Sequence, residues 1–240
     1  MNVKVKDLFK KFENKIAVSG INFDIKENST LGLLGPNGCG KTTTIGMILG
    51  LIKPSKGEIF IDGIDINKND RIRLLEKINF ASPYIELPKK LTVRQNLEIF
   101  ARLYGVSDTE NSIDQIANDL DLKKFINKKT GELSSGQKNR VSLAKSLINE
   151  PKLLLLDEPT ASLDPDIGDF IRGYLENYKK KNNVTILLAS HNMSEVERLC
   201  DEVIMMKNGS LVDEGTCDQL IKKHGRSNLE ETFLKIARGK

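Results

Sequence analysis

The 240-residue chain has no tryptophan, and aromatic residues make up only 5% of it. Its lysine clusters, KKFINKK and YKKKNN, each hold a single ring, Phe125 and Tyr178, rather than a run of aromatics interleaved with base, and they read as solvated loops and helix ends. Charge of one sign is missing too. Lys and Arg number 37 against 33 Asp and Glu, and a formal +4 is too slight to point to a nucleic-acid partner. Three cysteines, Cys39, Cys200 and Cys217, are too few and too scattered for a disulfide framework or a zinc site, which favours a reducing compartment, the cytoplasm. No long apolar run occurs: LLLL before Asp157 falls far short of the roughly 20 residues a spanning helix needs, so any membrane role is expected to be peripheral. The opening MNVKVKDLFKKFENK alternates charged and apolar residues and has no secretory h-region. Internal repeats, low-complexity segments and long linkers are also lacking, which predicts one compact unit.

What is present is an ordinary globular composition, 39% hydrophobic and 29% charged, long enough to bury a core without disulfides. Strand-like runs appear at NVKVKDLF, AVSGINFDI, STLGLLG, EIFIDG, KINFAS, KLLLLD, VTILLAS and EVIMMKNGSLVDEG, with helical patterns between several of them. This alternation predicts an α/β core. From about Thr92 to Glu150 the rhythm changes to consecutive helical patterns, TVRQNLEIFARLYG and SDTENSIDQIANDL among them, with Ser107 and Glu110 as an expected capping box. The reading is a helical subdomain inserted into the core. KNGS is a tight hairpin turn, Thr216 and Gln219 form another expected capping box, and NLEETFLKIARG supplies a short amphipathic helix near the end.

Three stretches carry chemistry. Gly35, Pro36, Asn37, Gly38, Cys39, Gly40, Lys41 and Thr42 follow the strand STLGLL and open a helix at Thr43, the context a GxxxxGK[ST] phosphate loop requires. Glycines let successive N–H groups point inward, the helix N-terminus adds partial positive charge, Lys41 supplies a point charge to phosphates, and the Thr42 hydroxyl suits magnesium. Cys39 sits in this nest, which would depress its thiol pKa; the alternative is that it fills a permissive position. KLLLLDEP is a buried strand delivering two carboxylates at its C-terminal end, with Asp157 suited to a magnesium shell and Glu158 to orienting and deprotonating a water. TILLAS ends at His191, placed to hydrogen-bond a phosphate or the attacking water; His224, in the polar IKKHGR, reads as surface.

With LSSGQ at Leu133–Gln137, LLLLDEPTASLD and ASH in that order after the phosphate loop, the chain resembles the nucleotide-binding subunit of ATP-binding cassette (ABC) transporters over nearly its whole length. The resemblance implies an α/β fold: a P-loop NTPase core with an antiparallel β subdomain and an inserted α-helical subdomain. The core is expected at about 1–85 and 151–215, the helical subdomain at about 86–150 and a helical tail at about 216–240. It also implies ATP and Mg²⁺ as ligands, with Thr42 and Asp157 on the metal and Glu158, His191 and Lys41 as the catalytic set. Two subunits, identical or similar, are expected to pack head to tail, so that Ser134, Ser135, Gly136 and Gln137 of one cap the γ phosphate held by the other. Ser135 stands where the family signature has its first glycine; the Ser134 hydroxyl, the Ser135 and Gly136 N–H groups and the helix N-terminus still favour an anion. Val141, Ala144 and Ile148 give that helix a core-facing stripe.

By the same match Phe12 occupies the adenine-stacking position, its alternative being a plain hydrophobic anchor. Ser162, Leu163 and Asp164 match the loop along the dimer seam. Pro83 stands where the family places a magnesium-touching glutamine, leaving Ser82, Tyr84 and Glu86 as the oxygen-bearing alternatives. The expected partner is an integral membrane permease at the cytoplasmic face of the membrane, with no nucleic acid involved. The short C-terminus resembles ABC-2-type exporters. The rival reading is a soluble single-cassette ATPase switch in assembly, repair or translation, without a membrane partner.

Overall fold

The computed structural model describes residues 1–68, 71–83, 86–161 and 163–238, the side chains of 71, 72, 237 and 238 apart. Two compact units are present: Met1–Leu75 with Val184–Lys240, and Glu76–Asn183.

In the first unit the chain runs through β1 (Val3–Phe12), β2 (Lys15–Ile25), β3 (Thr30–Leu34), α1 (Lys41–Ile48), β4 (Lys56–Ile61), β5 (Ile64–Asp65) and α2 (Arg71–Leu75). After the second unit it resumes with β8 (Thr185–Ala189), α7 (Met193–Leu199), β9 (Glu202–Lys207), β10 (Ser210–Gly215), α8 (Cys217–His224) and α9 (Leu229–Arg238). Strand β1 is antiparallel to both β2 and β4, with Val3 opposite Ile25 on one side and Ile61 on the other. Val3 and Val5 are buried while Lys4 and Lys6 are exposed, the alternation of a sheet with one dry face. By contrast β3 and β8 are buried along their whole length and pair in parallel, Leu33 opposite Ala189. Strand β9 flanks β3 on its other side, also in parallel, and β10 returns antiparallel. The KNGS turn joins β9 to β10 through Asn208 (φ 50°) and Gly209 (φ 82°), the two positive φ values that a two-residue hairpin needs.

The second unit holds β6 (Ile78–Ala81), α3 (Val93–Leu103), α4 (Thr109–Asp119), α5 (Ser135–Leu147), β7 (Leu153–Asp157) and α6 (Pro165–Asn182). Strands β6 and β7 are parallel with Ala81 opposite Leu156, so the segments after both strands leave at the same end. Leu153 to Leu156 are completely buried. Removing one such side chain typically costs about 2–5 kcal/mol. Thr92 opens α3 and Ser134 opens α5, each with a complete capping box to a glutamine three residues on, at Gln95 and Gln137. The expected box at Ser107 and Glu110 is corrected: Asp108 is the N-cap of α4, its carboxylate accepting from Asn111 N at 3.2 Å. A carboxylate one residue nearer the helix reaches the N3 amide and sets the start there. The box at Thr216 and Gln219 is present on α8. Val141, Ala144 and Ile148 are all buried, as the stripe predicted.

Candidate active site

The segment after β3 is shaped by backbone crowding. A Cβ on Gly35 would lie 2.4 Å from Cys39 Sγ and 2.6 Å from the Met206 carbonyl, and one on Gly40 would lie 2.5 Å from the Ala17 carbonyl. Gly40 also has φ 113°, which side-chain-bearing residues rarely adopt. Gly40 is the N-cap of α1, and no side chain caps that helix or puts a negative charge in its first turn. A helix end without a side-chain cap or a compensating charge favours an external anion. Lys41 is buried and donates from Nζ to the Gly35 carbonyl at 2.6 Å, folded back along the loop it would serve. Thr42 is exposed and Thr43 half-buried on the first turn.

Elsewhere in the first unit, the KNGS turn has a second job that its sequence did not reveal. Gly209 N donates to the Cys39 carbonyl at 3.0 Å, and Gly209 O accepts from Ser19 N, so the hairpin tip braces the loop from outside. Cys39 is buried, and burial raises its thiol pKa despite the Lys41 charge, so of the two readings the depressed thiol is set aside and the permissive position stands. The nest of N–H groups is outweighed by loss of water. His191 is exposed on the turn between β8 and α7, one residue beyond Ser190, whose Oγ accepts from Asn192 N at 3.1 Å. Because β3 and β8 are parallel neighbours, the phosphate loop and His191 follow the same end of the sheet, where ligands of such sheets bind. Phe12 ends β1 at the hairpin with β2 and is 45% exposed, its ring covered on one face by Lys10 Nζ at 4.7 Å from the centroid. Ala17, farther along β2, is the residue that crowds Gly40.

The second unit carries the other candidates. Asp157 ends β7 and is buried, and Glu158 follows it, 8% exposed, in the left-handed region at φ 55°. Left-handed backbone at a glutamate costs on the order of 1–3 kcal/mol, and Glu13 and Glu150 adopt it as well. Ala161 N closes this turn onto the Glu158 carbonyl at 3.1 Å. The Ser134 hydroxyl accepts from Gln137 N at 3.3 Å, and Gln137 Oε1 accepts from Ser134 N at 3.1 Å. Ser135 and Gly136 are the first residues of α5 beyond this cap, and Ser135 is exposed. Asp164 is the N-cap position of α6; Ser162 and Tyr84 lie outside the described residues. Of the alternatives near Pro83, Glu86 is exposed and paired with Lys89 at 2.9 Å, whereas Ser82 is buried and its carbonyl accepts from Ser142 Oγ.

Among the described residues no group of three or more His, Cys, Asp or Glu side chains is arranged to hold a metal. The Thr42 hydroxyl in the first unit and the Asp157 carboxylate in the second are each hard oxygen donors of the kind magnesium takes together with phosphate oxygens and water. No described helix is long and apolar enough to cross a membrane.

Residues 18–161 match the family model for ABC transporters. The bacitracin transport ATP-binding protein BcrA of Bacillus licheniformis is 38% identical over 231 residues, 95% of this chain and 74% of that protein. The Nod factor export ATP-binding protein I of Burkholderia orbicola is 36% identical over 92% of this chain and 72% of that protein. Among solved structures, an ATP-binding cassette captured as a dimer in a post-hydrolysis state with ADP and Pi matches with a TM-score of 0.81 at 28% identity, covering 89% of this chain and 98% of that one. A phosphate loop after β3, a carboxylate pair after β7 and a signature opening α5 together identify the chain as a member of the ABC transporter family, an ATP-binding and ATP-hydrolysing subunit.

Proposed function

We propose that this subunit powers export of a substrate through a separate integral membrane permease, working as a head-to-tail pair with a second copy or a similar ATPase, peripheral on the cytoplasmic face of the membrane. The observation that carries the reading is the phosphate loop: a cradle in which Gly35 and Gly40 leave no room for a Cβ, opening a helix with no side-chain cap. The whole chain is read as one cassette with a helical part between Thr92 and Glu150. The name of one relative, the Nod factor export protein, favours the exporter direction.

In this reading the Gly35–Thr43 segment binds the triphosphate through backbone N–H groups, and Lys41 swings from the Gly35 carbonyl onto the phosphates. Phe12 stacks on adenine. Thr42 and Asp157 are the residues that would hold Mg²⁺, which would neutralise phosphate charge. Glu158 orients and deprotonates the attacking water, and His191 donates to the γ phosphate. The partner's Ser134, Ser135, Gly136 and Gln137 close the site with hydroxyl and N–H donors, and Asp164 lies along the seam. Acceleration comes from positioned charge rather than covalent chemistry. Glu158→Gln keeps the side chain's size and one acceptor oxygen but not the base; it is expected to retain ATP affinity while lowering turnover by roughly 10²–10⁴. Unchanged turnover in a steady-state phosphate-release assay would place the base elsewhere.

A further inference from the structure

Helix α5 has one buried amide that neither the signature nor the core stripe explains. Asn139, two residues past Gln137 and 8% exposed, donates from Nδ2 to the Pro159 carbonyl at 2.7 Å. Pro159 is buried and immediately follows Glu158, the residue held at φ 55°. A proline cannot donate to a neighbouring strand or turn, so its carbonyl is the only backbone handle at that position. The same short stretch meets the signature a second time. A Cβ built on Gly136 would lie 3.5 Å from Leu163 Cδ2 and 3.7 Å from Ile167 Cδ1, so the first turn of α5 rests on the segment that runs from Glu158 into α6.

From this geometry we infer that Asn139 is a positioning residue that ties the signature helix to the turn aiming Glu158, so that each subunit joins the site it completes for its partner to the site it runs itself. The inference rests on the proposed roles of Glu158 and LSSGQ. In a head-to-tail pair these two groups serve different ATP molecules, yet within one chain a single 2.7 Å hydrogen bond separates the helix bearing one from the turn bearing the other. The bond is short and withdrawn from water, where losing one partner leaves the other unsatisfied and the turn free to shift. Misplacement of a catalytic group by about 1 Å can cost roughly 10²-fold in rate. Because the phosphate loop is not part of this link, nucleotide affinity should be spared.

The test uses Asn139→Leu, which keeps the volume and removes the donor, beside Asn139→Gln, which keeps a donor on a longer arm. With a fluorescent ATP analogue and Mg²⁺, the leucine variant is expected to bind like the parent chain, while its saturated ATPase rate drops about 10- to 100-fold; the glutamine variant recovers part of that rate. Mixed dimers sharpen the result. With Glu158→Gln in one subunit, only the other subunit's Glu158 works, and Asn139→Leu should slow turnover whether placed beside that working glutamate or in the subunit supplying its signature. An unchanged rate in the leucine variant, a loss confined to one of the two placements, or a loss equal to that seen with glutamine would overturn the inference. If the leucine variant does not fold, judged by its melting curve, Asn139→Ser takes its place, since a hydroxyl on one carbon is too short for the direct bond. Turnover retained by Glu158→Gln alone would defeat the underlying assignment of the base; turnover lost there but kept in Asn139→Leu would defeat only the link.

Discussion

The phosphate loop gives a paired prediction, because two of its glycines have positive φ and differ in what surrounds them. At Gly38 (φ 77°) an added Cβ would meet nothing within 4 Å, whereas at Gly40 (φ 113°) it would lie 2.5 Å from the Ala17 carbonyl. Alanine at either site takes on backbone strain of about 1–3 kcal/mol, offset by about 0.4–1 kcal/mol from a less flexible unfolded chain. At Gly40 a second cost enters: β2 or the loop must retreat by at least about 0.5 Å to relieve the contact, an overpacking penalty of about 1–3 kcal/mol. Gly40→Ala should therefore be less stable than Gly38→Ala by that second amount. At about 2–4 °C per kcal/mol for a chain of this size, their nucleotide-free melting temperatures should separate by several degrees. Calorimetry or circular dichroism melts of the two variants and the parent chain measure this directly. Equal melting temperatures, or Gly38→Ala as the less stable, would refute the claim that close backbone packing, and not conformational freedom alone, demands glycine at position 40.

Two further predictions follow from the second unit. Gly136→Ala meets only ordinary van der Waals neighbours within its own chain, at 3.5 Å or more, so it should fold with an unchanged melting temperature while losing ATPase activity; full activity would remove Gly136 from the site. Lys145 is buried over the Phe100 ring at 5.2 Å, and desolvation lowers its pKa. A folded-state pKa below the unfolded value means the unfolded chain binds more protons in the window just under 10.5, so stability should rise with pH there. Lys145→Met, by removing an ammonium that burial disfavours, should be at least as stable at neutral pH and should flatten that rise in urea titrations run from about pH 8 to 10.5; a steeper rise or a marked loss of stability would contradict it.

Much of this architecture is written in local pattern. The β7 run of leucines and the two carboxylates that end it are contiguous, so a strand and a charged terminus can be read without knowing what packs beside them. The boxes at Thr216 and Ser134 are likewise local, each one side chain reaching three residues. What pattern does not show depends on residues far apart in the chain. Gly209 braces Cys39 across 170 positions, and Asn139 reaches a carbonyl 20 residues away. No spacing rule flags either; two residues before the buried Val141, Asn139 sits where a helix would be expected to face solvent. The Cys39 thiol went the other way because its burial is a tertiary property that a count of neighbouring N–H groups omits. At Ser107 and Asp108 two good capping residues stand side by side, and pattern alone does not decide between them.

The central claim, that each working site draws its phosphate loop from one chain and its signature from another, is most directly tested by complementation. Lys41→Ala disables the loop and leaves the signature; Gly136→Asp places a negative charge in the signature and leaves the loop. Each variant alone is expected to be inactive. Mixed in equal amounts, they should regain ATPase activity, because a heterodimer contains one site with an intact loop facing an intact signature. A mixture as inactive as its components, despite demonstrated heterodimer formation, would contradict the account.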